Sequence, residues 1–382
     1  MRIGFDANVL TKEKSAGAYY LGQLVRGLVK CNPRLEIFLF SADKVCVDYD
    51  HYIHFPQVTR VTLDLPREAR KGWPGKYIPA LLKKHRIDVF HSPCQDGAAL
   101  FHPGCPTVVT VMGLGDWIMA GSFPGWWEKK GYQFRHLAWS RLAARTITLS
   151  ETTRRDLMRF CRVSGESIAV TFPGAGSDEL FSLSQGEAEA VVGQYGLAGQ
   201  DYIINASGLS DKRHNLNFVL EGFAQYLRHA AGDVKLVVTG SVNYEGAYAR
   251  AVRKMEMLGI KDKVILTGFI SDRSFYALLR NAGAAIVSSM YSGMSFALTE
   301  CFAAGVPVIA SDRGAFPEIA GEAAIMVDMY DIGSLAESLR RLLENQVEHD
   351  LYVEKGVTRV KEFSWERMAQ ETLAVYQGIV KE

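Results

Sequence analysis

The chain has 382 residues and a formal net charge of +1, with 48% apolar and 22% charged residues. At roughly 100–200 residues per domain, this length predicts two globular domains, and the composition excludes a disordered chain. A charge so close to zero gives no global attraction to nucleic acid, so we expect no nucleic-acid partner.

The cysteines and the apolar runs of the sequence indicate the cellular compartment of the protein. The six cysteines are scattered and none forms a Cys-x-x-Cys pair, which predicts reduced thiols and no disulfide framework or zinc site. The N-terminus enters a strand without the features of a signal peptide, and no apolar run reaches the roughly 18–20 residues of a membrane span. We therefore expect a soluble, cytoplasmic protein.

Short apolar strands alternate with helical patterns along the whole chain. The first series predicts strands at 2–9, 36–40, 58–65, 89–92, 107–112, 146–149 and 168–172, with helices at 19–30, 78–85, 129–144 and 151–160. The second predicts strands at 202–206, 235–239, 264–268, 284–288, 306–310 and 324–327, with helices at 216–227, 246–258, 275–281, 296–304 and 335–343. Continuous apolar strands between helices are typical of parallel sheets covered on both faces. Each series therefore predicts one doubly wound, Rossmann-like α/β domain.

A break rich in glycine, serine and proline at residues 173–183 separates the two series. It predicts a first domain at 1–173, a second domain at 174–362 and a closing helical segment at 363–382. Ligands of open parallel sheets bind beyond the carboxyl ends of the strands. Two such domains facing each other predict a ligand-binding cleft.

The strongest functional signal is the segment 288–321, which begins as a strand, a glycine-containing loop and a helix. Gly293 lies in the loop, the helix begins near Ser295, and Glu300 follows about one turn later. A helix N-terminus offers free N–H groups and a positive dipole end, which suits a diphosphate. A helix that merely ends at Gly305 would explain the glycine, but it would leave an acidic residue in an apolar stretch without the partner it needs.

Together, the motifs resemble those of the retaining GT-B glycosyltransferases of family GT4, the group 1 glycosyltransferases. The resemblance covers essentially the whole chain and rests on segments 3–7, 15–20, 208–215, 267–269, 300–307 and 363–366, in that order. It implies a GT-B fold whose last helix crosses back to the first domain. It also implies transfer of a hexose, with retention, from a nucleotide-sugar to a glycan or glycolipid acceptor of the cell-surface polysaccharide type.

The resemblance assigns a donor site to two loops of the second domain, with Glu300 holding the ribose. The diphosphate would meet residues in both loops: Gly208, Lys212, Arg213, His214, Gly293, Met294, Ser295 and Phe296. Arginine forks bidentately onto phosphate oxygens, whereas His214 replaces the lysine of the family and is only partly charged near neutral pH. A solvated helix start capped by Asn215 is the alternative reading of the first loop.

Three reactive positions of the family carry other residues in this chain. Ser292 stands where a carboxylate would lie beside the transferred sugar, Met112 replaces a histidine, and His214 replaces the lysine. Asp116 and His91 are the remaining catalytic candidates, although a lone histidine at a strand end more often packs or hydrogen-bonds. The departures indicate either a divergent working transferase or a catalytically impaired GT-B protein that binds nucleotide or glycan, or scaffolds an active transferase. A sugar-nucleotide epimerase of the same shape is a weaker alternative.

The resemblance also places a small-residue loop, with Ala16 and Gly17, on the phosphate side of the ligand. No Asp-x-Asp motif stands at a strand end. We therefore expect no metal and no other cofactor, because helix N-termini and Arg213 can neutralise the diphosphate.

The segment 117–139 combines seven aromatic residues with Lys129, Lys130, Arg135 and His136. Aromatic rings stack on sugars, and basic residues beside aromatic ones suit a lipid headgroup surface. The segment predicts peripheral contact with the inner face of the cell membrane. A core helix with a solvated basic face is an equal alternative.

Overall fold

The computed structural model describes residues 1–11, 15–70, 72–95, 104–119, 125–209, 211–240 and 246–381. The chain divides into two compact units, one made of Met1–Gly174 with Ser364–Glu382 and the other of Ala175–Phe363. Each unit has its own parallel β-sheet.

The first unit contains a seven-stranded sheet. Its strands are β1 Arg2–Asp6, β2 Glu36–Ser41, β3 Val58–Thr62, β4 Val89–Ser92, β5 Thr107–Val111, β6 Arg145–Thr148 and β7 Ile168–Val170. The helices among them are α1 Ala16–Cys31, α2 Asp50–Ile53, α3 Trp73–His85, α4 Gly115–Ile118, α5 Trp126–Leu142 and α6 Glu151–Asp156. The strand order is β3-β2-β1-β4-β5-β6-β7, and each pairing is parallel.

The second unit contains a six-stranded sheet. Its strands are β8 Asp201–Asn205, β9 Val234–Thr239, β10 Val264–Gly268, β11 Ala284–Val287, β12 Val308–Ser311 and β13 Ala324–Val327. Its helices are α7 Asp178–Ser182, α8 Gln185–Gln194, α9 Asp211–His214, α10 Leu216–Leu227, α11 Ala247–Leu258, α12 Asp272–Arg280, α13 Phe296–Ala303, α14 Phe316–Ala320, α15 Ile332–Glu344 and α16 Gln346–Val360. The order is β10-β9-β8-β11-β12-β13, again with parallel pairings.

All thirteen predicted strands are present, and the prediction of two Rossmann-like α/β units is confirmed. The physical reason is burial on both faces. In β1, for example, Ile3 and Phe5 are fully buried, and Gly4 leaves no room for a larger side chain, because a Cβ there would lie 2.8 Å from the Phe40 ring. Strands of this kind are apolar throughout and can be recognised in the sequence.

The last helix, α17 Trp365–Lys381, packs against α1 in the first unit. The two helices approach closely at small residues, since a Cβ on Gly27 would lie 2.6 Å from the Cβ of Ala369. Tyr376 of α17 is fully buried there. Among the described helices, none combines the length and the apolar character needed to cross a membrane.

Candidate functional site

The sheet of the second unit has its switch point between β8 and β11. These two strands are neighbours, although they are not consecutive in the chain, so the connections leaving their carboxyl ends run to opposite sides of the sheet. A crevice forms at such a point, and it is where ligands of open α/β sheets bind. The loop after β8 leads to α9 and the loop after β11 leads to α13, and these are the two loops predicted to hold a donor.

Three hydrogen bonds tie the two loops to each other. Ser288 N donates to Ser207 Oγ at 2.8 Å, and Ser288 Oγ donates to the His214 carbonyl oxygen at 2.5 Å. Met290 N donates to the Arg213 carbonyl oxygen at 2.9 Å. Ser288 itself is fully buried. The structure thus brings the predicted phosphate loop and the predicted loop before α13 together as one constellation.

Two glycines make a close backbone approach beside this switch point. Gly208 has φ +89° and Gly240, at the end of β9, has φ +129°. A Cβ on Gly240 would lie 3.0 Å from the Gly208 Cα, and a Cβ on Gly208 would lie 2.9 Å from His214 Nδ1. Both the dihedral angles and the space therefore require glycine. The two glycines thus let the backbone after β8, the backbone after β9 and the His214 ring pack tightly together.

The cationic residues of this loop differ in what they offer a ligand. Arg213 is exposed, and within the described part of the chain no carboxylate forms an ion pair with it. Burial, and then the Arg213 charge, lower the pKa of His214 to about 4. His214 is therefore neutral at neutral pH, where the sequence suggested partial charge, and its buried Nδ1 has no hydrogen-bond partner among the described residues. The Lys212 side chain lies outside the described part of the structure.

The loop before α13 is buried and ends in a capped helix start. Gly293, Met294 and Ser295 are buried, and Ser295 caps the helix by accepting from Leu298 N at 3.2 Å. Phe296 is the first residue of the helix. The predicted contacts of this segment with a diphosphate remain a prediction.

Glu300 lies in the second turn of α13 and is half-buried. Tyr276 of α12 donates its hydroxyl to Glu300 Oε1 at 3.0 Å. Glu300 is an acidic residue in an apolar stretch and needs a polar partner, and the Tyr276 hydroxyl is such a partner. Tyr276 was not predicted, because nothing local in the sequence relates residues 24 positions apart.

Ser292 directs its side chain into its own loop. Its Oγ donates to the Met294 carbonyl oxygen at 2.5 Å, and its carbonyl oxygen accepts from Ala315 N at 2.9 Å. Gly314, with φ +59°, lies so close that a Cβ there would be 2.7 Å from the Ser292 oxygen. The hydroxyl at this position therefore stabilises the loop.

The first unit has a switch point of its own, between β1 and β4. Gly17 is buried at the start of α1, where a Cβ would lie 3.8 Å from Met112 Sδ and 3.9 Å from the Cβ of Cys94. Ala16, the first residue of α1, is exposed. The predicted small-residue loop and the Met112 position are thus brought together. The role of the loop remains a prediction.

Gln95 holds the Met112 loop and was not predicted. Its Oε1 accepts from Met112 N at 3.1 Å, and its Nε2 donates to the Gly113 carbonyl oxygen at 3.1 Å. Asp116 follows in the first turn of α4 and is exposed. It remains accessible, and its proposed catalytic role stays a prediction.

His91 is buried in the core of the first unit, and this burial argues against the catalytic role predicted for it. Its side chain is fully buried, with Nδ1 2.5 Å from the Tyr376 hydroxyl and Nε2 2.8 Å from Thr110 Oγ1. Burial lowers the pKa of His91 to about 3, so the ring is neutral at working pH. Both nitrogens are occupied by protein groups, and the residue anchors α17 to the sheet.

Asp6 ends β1 at the same switch point and was not among the predicted site residues. Its side chain is 3% exposed and accepts from Asn8 N at 3.1 Å. Burial raises its pKa to about 7, partly offset by that hydrogen bond. Among the described residues, no group of three or more His, Cys, Asp or Glu side chains is arranged to hold a metal ion.

The fold and its two switch points define a class of protein, the two-unit Rossmann-like proteins of GT-B type. A family model described as Glycosyl transferases group 1 matches residues 188–358, and one described as Glycosyltransferase Family 4 matches residues 17–179. The chain is a member of the group 1 glycosyltransferases, family GT4.

Curated relatives and solved structures are similar at low identity. The chain is 23% identical to O-antigen chain mannosyltransferase B of Escherichia coli, over 60% of each chain. It is 28% identical to the MMP alpha-(1->4)-mannosyltransferase of Mycolicibacterium hassiacum, over 67% of this chain and 60% of that one. The matches thus span about 60% of the length of these relatives.

Solved structures match over nearly the full length. A sucrose-phosphate synthase from Thermosynechococcus elongatus superposes with a TM-score of 0.77 at 18% identity, covering 99% of this chain and 98% of that one. HepE of Anabaena, solved with UDP and glucose, gives 0.78 at 16% identity, covering 99% and 100%. These likenesses establish the fold.

Proposed function

We propose that the protein transfers a hexose from a nucleotide-sugar to a glycan or lipid-linked glycan, with retention of configuration and without a metal. The observation that carries this proposal is the hydrogen-bonded pair of loops at the switch point of the second unit. One loop presents Arg213 and a glycine backbone, and the other leads into the helix that bears Glu300. Family membership supplies the class of reaction.

Each group of the constellation has a chemical task in this proposal. Arg213, exposed and positively charged, would bind the diphosphate and stabilise it as a leaving group. His214 would donate a neutral hydrogen bond, and the N–H groups at the start of α13 would add partial positive charge. Glu300, oriented by Tyr276, would accept hydrogen bonds from the ribose. The acceptor hydroxyl would attack the anomeric carbon of the sugar from the same face that the phosphate leaves. Its proton would pass to the leaving phosphate.

The names of the relatives support a choice of sugar and acceptor to test first. Several relatives are mannosyltransferases, among them O-antigen chain mannosyltransferase B of Escherichia coli and the phosphatidyl-myo-inositol mannosyltransferase of Mycobacterium leprae. Mannose-bearing nucleotide sugars are therefore the first donors to test. A lipid-linked acceptor would place the protein peripherally at the inner face of the cell membrane.

Nucleotide binding is tested by thermal shift and calorimetry with UDP, GDP, ADP and their sugars. Glu300→Ala should weaken binding of the preferred nucleotide by about 1.5–3 kcal/mol, because it removes a charged hydrogen-bond acceptor. Glu322→Ala is the matched control, since that side chain belongs to the same unit and is 93% exposed. If no nucleotide stabilises the wild-type protein and no nucleotide-sugar is hydrolysed, the enzyme proposal fails.

A catalytically impaired nucleotide- or glycan-binding protein is the second candidate. It is favoured by Met112 and Ser292 at positions where the family has a histidine and a carboxylate, and by the engagement of the Ser292 hydroxyl within its own loop. Met112→His combined with Ser292→Glu separates the two candidates. A gain in transfer rate indicates a decayed site, whereas a loss indicates a divergent site that works with its present residues.

A further inference from the structure

The outward surface of α5 exposes an unusual concentration of large aromatic side chains. Trp126 is 60% exposed, Trp127 is 79% exposed and Phe134 is 67% exposed. The two indole rings pack edge to face with centroids 4.5 Å apart. Exposed aromatic groups of this size leave apolar area in contact with water, and a cluster of them marks an interaction surface.

The two sides of α5 are sharply different. Tyr132 and Trp139 point inward and are 5% and 2% exposed. At about 100° per residue, five of the exposed side chains fall within a wedge of about 100° on the opposite side, and the exposed Glu128, Arg135 and Leu142 lie beside this wedge. These residues define the α5 face: Trp126, Trp127, Lys130, Phe134 and Arg141. The aromatic stretch of the sequence is thus divided, with one part in the core and another part in solvent.

The α5 face is also basic. The helix carries Lys129, Lys130, Arg135 and Arg141 against the single acid Glu128, while the whole chain has a net charge of only +1. Lys130 Nζ lies 5.6 Å from the centroid of the Trp126 ring. The positive charge is therefore interleaved with the aromatic groups and not merely adjacent to them.

We propose that the α5 face docks on an anionic lipid bilayer. Tryptophan rings prefer the boundary between headgroups and acyl chains, where an apolar body and a polar N–H are both satisfied. Lysine and arginine beside them are attracted to anionic headgroups. A helix of this length, about 25 Å, lies in the plane of the surface with its apolar side chains inserted. The proposal deepens the proposed lipid-linked acceptor by naming the surface that would bring the protein to it, but it does not require transfer activity.

The test is co-sedimentation of the full chain with vesicles. Wild-type protein should pellet with vesicles of phosphatidylcholine and phosphatidylglycerol and remain in solution with phosphatidylcholine alone, and binding should weaken as salt is raised. The double variant Trp126→Ser with Trp127→Ser should lower vesicle affinity at least about tenfold. A loss of this size is expected if only part of the apolar area of the two indoles is inserted into the bilayer. Lys130→Ser and Arg141→Ser should each lower it about fivefold.

Phe181, a phenylalanine as exposed as Phe134, provides the control. Phe134→Ser should weaken binding, whereas Phe181→Ser should not, because Phe181 is equally exposed at 69% but lies on the second unit. Each substituted side chain is in solvent, so the melting temperature of every variant should match that of wild type. Equal binding to neutral vesicles, equal loss in Phe181→Ser, or self-association that the double tryptophan variant abolishes would overturn the proposal.

The thermal shift with nucleotides is measured on the same samples. Nucleotide binding without vesicle binding overturns the docking face alone, and vesicle binding without nucleotide binding overturns the donor site alone.

Discussion

Replacing Tyr376 with phenylalanine removes one hydroxyl from a buried hydrogen-bond chain. The chain runs from Tyr376 to His91 at 2.5 Å, from His91 to Thr110 at 2.8 Å, and from Thr110 to Tyr20 at 3.1 Å. It links α17, the sheet and α1. The ring is retained in the variant, so little volume is lost. The cost is that of leaving His91 Nδ1 buried without its partner, about 1–3 kcal/mol of unfolding free energy for the first unit.

The same network makes unfolding sensitive to acid. The pKa of His91 is about 3 in the folded protein and near the ordinary value of 6.5 in the unfolded chain. Between these pH values only the unfolded state binds the proton, so the stabilisation is complete above pH 6.5 and is lost as pH falls toward 3. The difference corresponds to roughly 5 kcal/mol across the whole window. His91→Gln, which does not titrate, should remove this part of the pH dependence.

Urea unfolding, followed by circular dichroism and fluorescence, measures both effects. The two units are allowed separate transitions, because a two-unit chain need not unfold in one step. Tyr330→Phe is the control, since that side chain is 70% exposed and belongs to the second unit. A loss below about 0.5 kcal/mol in Tyr376→Phe would refute the reasoning. An unchanged pH dependence in His91→Gln would refute it equally.

Three further substitutions, at the two positions His214 and Gly208, probe the candidate site of the second unit. His214→Gln should leave nucleotide affinity within about threefold, because a neutral imidazole supplies only a neutral hydrogen bond. His214→Lys should strengthen nucleotide binding about fivefold and make it more sensitive to salt, because the substitution adds a full positive charge. A steep rise in the nucleotide affinity of the wild-type protein between pH 7 and 6, measured by calorimetry, would show instead that His214 binds as imidazolium. Gly208→Ala should cost about 1–3 kcal/mol of stability and weaken nucleotide binding, because its φ of +89° suits only glycine. Gly193→Ala in α8, where no atom lies within 4 Å of the new Cβ, should be neutral or slightly stabilising in the same thermal unfolding assay, and similar losses in both variants would contradict the steric explanation.

Local pattern was enough to locate the strands but not every helix. Most of the thirteen strands are short apolar runs that the sequence shows directly, although β3, with the sequence VTRVT, is largely polar. Several short helices were not predicted, and neither were two longer ones, α8 and α16. Gly356 is the only buried residue described in α16, so the helix lacks the apolar stripe that periodicity detects. The signal for α8 was present but was not used, since Ser184 and Glu187 form a capping box at its start.

Motif order located the two loops of the candidate donor site, and their hydrogen bonds to each other show that they form one constellation. The partners within it were not accessible to sequence reasoning. The Tyr276 hydroxyl reaches Glu300 from another helix, and Gln95 clamps Met112 across 17 positions. Such contacts depend on where packed elements place side chains, and no local pattern records that.

The sequence by itself determined the two parallel α/β units, because continuous apolar strands between helices can bury themselves in only a few ways. It also placed the candidate donor loops at the carboxyl ends of strands, whereas the strand order, and with it the two switch points, came from the tertiary structure. The tertiary structure alone decided what individual polar residues do. His91 stands at a strand end like any site residue, but it is held in the core by Tyr376, 285 positions away. The aromatic stretch likewise looks uniform in sequence, and only the packing of α5 sends Trp139 inward and Trp127 into solvent.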